Sequence, residues 1–221
     1  MRMVSRDYQS LNTSLAQVFD ELGHGLILRG TAVDVANEDR IPHLSESQAA
    51  ELLKRALEEY RVAMKTMPGR VVIHKSSKYT DEEIAGFDAA AQELRIHTVD
   101  FVTVLDARLR LFRQGNYPPY RGTLVNLNKG RHLFYTRGSV WFYETYPGMF
   151  IPEPIERRMV RSEETPLFLA SELLGLTKMN WNNTQFDGKY PVTLGCARKV
   201  GEVLKYVGEN ERPQSRYSYY M

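Results

Sequence analysis

The sequence predicts an α/β protein in which helices flank a mixed sheet. Three observations predict it. Two amphipathic runs open with capping residues, each is followed at once by a short β-branched stretch, and a β-rich segment then leads into two further helical runs. The 221 residues suffice for one sizeable core, read as a single domain over 1–221.

Taken in order, SLAQVFDELGHGLILRGTAV reads as two strands joined by a tight turn at Gly23-His24-Gly25. In IPHLSESQAAELLKRALEEYRVAMKTMPG, Ser45 and Gln48 form a capping box. Ala49, Leu52, Leu53, Ala56, Leu57, Tyr60 and Met64 then recur at helical spacing until Pro68-Gly69 stops the run. RVVIHK, from Arg70 to Lys75, is nearly continuous in apolar character and suits a buried strand. Thr80 with Glu83 caps a second helix carrying Ile84, Phe87 and Leu94. HTVDFVTVL from His97 is the next strand. This alternation implies a right-handed crossover and a partly parallel sheet.

RLRLFR, GTLVNL, HLFYT and SVWFYETY are strand-like pieces between turn residues. PLFLASELLGL is a short helix. Thr193 to Val207 is the last, with Leu194, Ala197, Val200, Leu204 and Val207 on one face. A hairpin, then α-β-α-β, an insertion and two helices is an RNase H-like order. Such a sheet opens with a three-stranded meander, so two strands before the first helix leave the first strand lacking.

Composition removes several functions. The lone Cys196 excludes an internal disulfide and a cysteine zinc cluster, and it suits a reducing cytoplasm. No apolar run reaches the length of a membrane span, and MRMVSRDYQSLNTS has no signal-peptide core. His24, His43, His74, His97 and His132 show no paired spacing for a metal. A net charge of +2 says little, but its distribution says more. From Ala107 to Tyr143 stand Arg108, Arg110, Arg113, Arg121, Lys129, Arg131 and Arg137, with no acidic residue. Phe112, Tyr117, Tyr120, Phe134, Tyr135, Trp141, Phe142 and Tyr143 are interleaved with them. Guanidinium groups pair with phosphates and aromatic faces stack on bases, so this is the composition of a nucleic-acid surface. A β-rich segment with core aromatics and solvated arginines has the same composition.

The motifs AQVFDELGHGLILRG, RVVIHKSSKYTDEEIAGF, YPPYRGT, LFYTRG with YPG, and LTKMNWNNTQF followed by PVTLGCARKVGEVLKYV occur in this order. Together they make the chain resemble the C-terminal part of the PIWI domain of prokaryotic Argonaute proteins. The resemblance implies a protein that holds a short guide strand, RNA or DNA, for pairing with a complementary target. It also implies a prokaryotic defence role and a cytoplasmic location.

Cleaving members hold two divalent ions with an acidic tetrad, because hard cations need carboxylate oxygens. The first tetrad position lies on the lacking strand. The third falls on Ser76, after Lys75, and the fourth on Arg198, seven residues after Pro191. Glu21 and the Glu38-Asp39 loop are candidates for the second. A serine does not replace a bridging carboxylate and an arginine repels a metal, so no catalytic residue is assigned and cleavage is not expected. Active cleavage through other carboxylates, or a structural subunit without nucleic acid, are the alternatives.

For binding, the resemblance places LTKMNWNNTQF beside the guide's 5′ portion. Lys178 would supply charge there, and Asn180, Asn182 and Thr184 would donate to phosphate oxygens. Arg121 and Thr123 in YPPYRGT would position another backbone contact or merely make a turn, and Arg137 is a further candidate contact. The carboxylate of Met221 would help ligate Mg²⁺ at the guide 5′-phosphate. The middle, PAZ and N domains are not in this sequence. A separate chain carrying the middle domain and the first strand is therefore expected as partner.

Overall fold

The computed structural model describes residues 3–7, 10–13, 16–19, 25–28, 32–33, 43–179 and 188–203. Two compact units divide the chain: Met1–Asp100 with Thr193–Met221, and Phe101–Val192.

In the first unit, β1 (Met3–Asp7), β2 (Ser10–Thr13), β3 (Ala16–Phe19), β4 (Gly25–Leu28) and β5 (Ala32–Val33) precede any helix. The predicted hairpin is β3 with β4, antiparallel, Ala16 opposite Leu28 and Phe19 opposite Gly25. The expectation of only two strands is corrected, because β1, β2 and β5 form a further three-stranded sheet. MVSRD and SLNT lack an apolar run, which is why they did not read as strands. Counting strands therefore no longer argues that one is lacking.

Helix α1 (Glu46–Met64) begins with the expected reciprocal cap between Ser45 and Gln48. Ala49, Leu52, Leu53, Ala56 and Leu57 are buried along one face. Strand β6 (Arg70–Lys75) follows. It is half-buried except at Lys75, and it stands at one end of its sheet rather than inside it. Helix α2 (Asp81–Glu93) carries the second capping box, Thr80 with Glu83. It packs on α1 at Gly86, where an added Cβ would lie 2.1 Å from the Glu46 carbonyl oxygen. A Lys54–Glu93 ion pair of 2.5 Å joins the same two helices.

Strand β7 (Thr98–Asp106) is buried from Val99 through Val104. It belongs to a five-stranded sheet with β8 (Leu124–Asn128), β9 (Arg131–Phe134) and β10 (Ile155–Arg161), in the order β6-β7-β10-β9-β8. Strand β10 runs antiparallel to both neighbours, placing Ile155 opposite Asp106 on one side and Phe134 on the other. The sequence did not announce β10, because IERRMVR hides its alternation behind arginines. Arg157 is the reason: it faces inward with Ile155 and is fully buried. Its Nη1 donates to the Pro166 carbonyl at 2.8 Å, while Nε and Nη2 are buried without a hydrogen-bond partner. Burial pulls its pKa down to about 10.

Two expected strands are corrected. RLRLFR is not a strand; the Tyr135 hydroxyl accepts from the Leu111 N–H at 2.8 Å and ties it down by a side chain. SVWFYETY is instead a 3₁₀ turn at Trp141–Tyr143, closed by a 2.8 Å bond from the Val140 N–H to the Thr145 carbonyl. Helices α3 (Pro166–Leu176) and α4 (Val192–Val203) complete the order. Leu194, Ala197, Val200 and Cys196 of α4 are buried; Leu204 and Val207 lie outside the described residues. No described helix is long and apolar enough to cross a membrane.

Candidate nucleic-acid interface

The loop after α3 leaves from a tied base. Thr177 caps α3 and is buried, its hydroxyl donating to the Leu174 carbonyl at 2.6 Å. Its own carbonyl accepts from the Gly188 N–H at 3.1 Å, so the two flanks of residues 180–187 meet. Lys189 continues this base: its carbonyl accepts from Thr136 Oγ1 at 2.7 Å, and its ammonium reaches Asp106 at 2.7 Å and Glu153 at 3.0 Å. Asn180, Asn182 and Thr184 lie outside the described residues, as do Trp181 and Met221.

Arg121 joins this base. Its Nη2 donates to Thr177 Oγ1 at 3.1 Å, across 56 residues of chain. Lys178 is exposed, with no ion-pair partner among the described residues. Both cations thus stand at the C-terminal end of α3, where the helix dipole favours positive charge. The structure therefore brings Arg121 and Lys178 together through Thr177. Thr123 serves the neighbouring turn, its hydroxyl donating to the Tyr120 carbonyl at 2.6 Å, which leaves that hydroxyl only lone pairs to offer. Arg137 is half-buried.

The basic run is less free than its composition implied. Arg110 pairs with Glu153 at 2.5 Å, and Arg131 pairs with Glu156 at 2.9 Å. Glu156 also accepts from Arg158, and Arg131 first, then Arg158, hold its carboxyl below the usual range. These acids lie beyond the acid-free run in sequence and were invisible to a local count. Arg108 and Lys129 are exposed and without ion pairs among the described residues. The aromatics divide: Phe134 and Tyr135 are core, whereas Phe112, Tyr117, Trp141, Phe142 and Tyr143 face water. Both readings of the composition thus apply, to different residues.

A second cluster sits at the end of β6. Lys75 is buried and its ammonium donates to Glu83 Oε1 at 2.5 Å, to Glu83 Oε2, and to the Lys78 carbonyl at 2.9 Å. Glu83 also accepts from the Leu44 and Thr80 N–H groups, each at 3.0 Å. Next to it His74 Nδ1 lies 3.0 Å from Thr193 Oγ1, which places β6 beside the start of α4. Ser76 and Arg198 are half-buried. Among the described residues no group of three or more His, Cys, Asp or Glu could hold a metal ion.

Compared with solved structures, the chain matches Clostridium butyricum Argonaute bound to a guide DNA and a 19-mer target DNA. The TM-score is 0.66 at 14% identity, over 94% of this chain and 26% of that one. The fold is PIWI-like, as in Argonautes. Marinitoga piezophila Argonaute gives the same answer in complex with a 5′ OH guide RNA, with TM-score 0.60 and 15% identity over 90% of this chain and 28% of that one. With guide RNA and target DNA it gives TM-score 0.62 and 15% identity, over 98% and 30%. This chain spans between a quarter and a third of those Argonautes. No protein-family profile matches the sequence, and no curated protein matches it.

Proposed function

We propose that this chain is a cleavage-deficient PIWI module that holds a guide strand and its complementary target. It acts as half of a split Argonaute in prokaryotic defence against foreign nucleic acid. The observation that carries the reading is the PIWI-like fold together with Lys75, Ser76 and Arg198, where cleaving relatives are expected to have carboxylates at two of the three positions.

In this reading Lys178 and Arg121 set positive charge beside the loop base, and Asn180, Asn182 and Thr184 donate to guide phosphates. Thr123 holds the turn that presents Arg121, and Arg137 adds a contact from the neighbouring segment. Such contacts are blind to sequence, as a protein that accepts many guides requires. The Met221 carboxylate helps hold Mg²⁺ at the guide 5′-phosphate. A partner chain supplies the middle domain.

The test is nucleic acid carried through purification, with and without a coexpressed middle-domain chain, sequenced for length and 5′ ends. Short strands of uniform length are expected, and their sugar identifies the guide. Labelled target incubated with Mg²⁺ or Mn²⁺ is expected to stay intact. Absence of bound nucleic acid in both preparations would leave a structural subunit as the better description, and metal-dependent cleavage would make the chain a nuclease.

A further inference from the structure

We propose that the Trp141–Tyr143 turn is a stacking platform for an unpaired nucleobase, with Arg113 meeting the adjacent phosphate. This rests on the nucleic-acid-binding reading above and narrows it to a single-stranded ligand at one place.

Trp141, Phe142 and Tyr143 are 75%, 83% and 69% exposed, consecutive and in a turn too short to bury them. The turn is nonetheless held in place. The Ser139 N–H donates to the Pro119 carbonyl at 3.0 Å and its hydroxyl to the Pro118 carbonyl at 2.6 Å. The Arg121 N–H returns a bond to the Ser139 carbonyl at 2.9 Å. At Gly138 a Cβ would come 2.3 Å from the Pro119 oxygen, so the two segments touch backbone to backbone. A fixed aromatic loses little entropy on binding, which is what a platform needs.

Trp141 does not stand alone. It meets Tyr120 edge to face, with centroids 5.0 Å apart at 60°, and the Arg113 guanidinium lies 4.0 Å over the Tyr120 ring. The Arg113 guanidinium, its Nη1 buried, thus fixes a positive charge beside the aromatic turn, which favours an anionic neighbour. A ligand that suits this cluster of Trp141, Tyr120 and Arg113 carries flat apolar faces and negative charge at once. A single-stranded nucleotide does, whereas in a duplex the base faces are already stacked.

The experiment uses the full chain and an oligonucleotide of about twelve nucleotides carrying one central 2-aminopurine, free or annealed to its complement. Wild type is expected to quench the single-stranded probe and to leave the duplex probe unchanged. Trp141→Ala is expected to abolish quenching and weaken single-strand binding about tenfold, with Trp141→Phe retaining most of both. The exposed position of Trp141 predicts an unchanged melting temperature, which checks folding. Trp141→Ala binding like wild type, or weakening single strand and duplex equally, would overturn the platform while leaving backbone binding standing. A wild-type chain that binds neither probe, alone or with the coexpressed middle-domain chain, would overturn both. Trp141→Ala that alters sedimentation but not nucleic-acid binding would reassign the turn to a protein contact.

Discussion

The ammonium of Lys75 donates to both carboxylate oxygens of Glu83, and both side chains are buried. Glu83 simultaneously closes the capping box of α2 and accepts from the Leu44 N–H. One carboxylate thus fixes the end of β6, the start of α2 and the approach to α1. Burial lowers the Lys75 pKa, with Glu83 opposing the shift. Breaking such a pair from one side strands a buried charge. Lys75→Met should cost about 3 kcal/mol in urea unfolding. Lys75→Met with Glu83→Leu should recover part of that loss, and a double variant worse than the sum of the singles would contradict the pairing.

His74 should give the chain a pH dependence. Burial, with the charge of Arg70 adding, lowers its pKa from 6.5 to about 4. Between those values the unfolded chain binds the extra proton, so stability is complete above 6.5 and is lost as pH falls toward 4. Full conversion of the shift gives roughly 3 kcal/mol, and partial exposure reduces it to about 2 kcal/mol. Unfolding from pH 4 to 7 should therefore be steeper for wild type than for His74→Gln. Parallel profiles would remove His74 as the cause.

Gly86→Ala tests the contact between α1 and α2. The added methyl would meet the Glu46 carbonyl at 2.1 Å and the Ala49 Cβ at 2.9 Å, and backbone cannot rotate aside. The helices must separate, at about 1–3 kcal/mol despite the better helix propensity of alanine. A rise in melting temperature would show that the helices do not approach this closely.

Arg157 makes the opposite prediction. A buried guanidinium with one carbonyl partner is costly, and an apolar side chain of similar length removes that cost. Arg157→Met should unfold at equal or higher urea concentration than wild type. It should also raise the pKa of His132, which burial and then the Arg157 charge hold down. A large loss of stability would mean that an anion or water satisfies the guanidinium.

Lys178→Ala should weaken guide binding about equally for all sequences and lower the salt slope by about one. Arg121→Ala should do more, because it also releases Thr177 at the loop base. Equal effects on affinity from both, with an unchanged slope, would point to loop distortion instead of lost phosphate contact.

Local chemistry carried the helices. Both capping boxes, the α1 seam from Ala49 to Leu57 and the β3–β4 hairpin were legible, because each depends on residues three or four apart or on one turn. HTVDFVTVL likewise read as a strand, but its burial did not, and RVVIHK, which read as the buried strand, is half-buried except at Lys75. Strand β10 was not legible, since Arg157 occupies the position where the alternation calls for an apolar residue. Nor was the fate of the basic run. Glu153 and Glu156 neutralise Arg110 and Arg131 only after β10 and its approach fold back on the hairpin of β8 and β9.

The sequence by itself determined where helices start and which faces they bury. Those are matters of residue type and short-range spacing. Only the tertiary structure decided that Lys75 would be neutralised by Glu83, that Arg121 would meet Thr177 beside Lys178, and which aromatics would face water. Each of these joins groups between 8 and 56 residues apart, or turns on burial, and no local pattern encodes either.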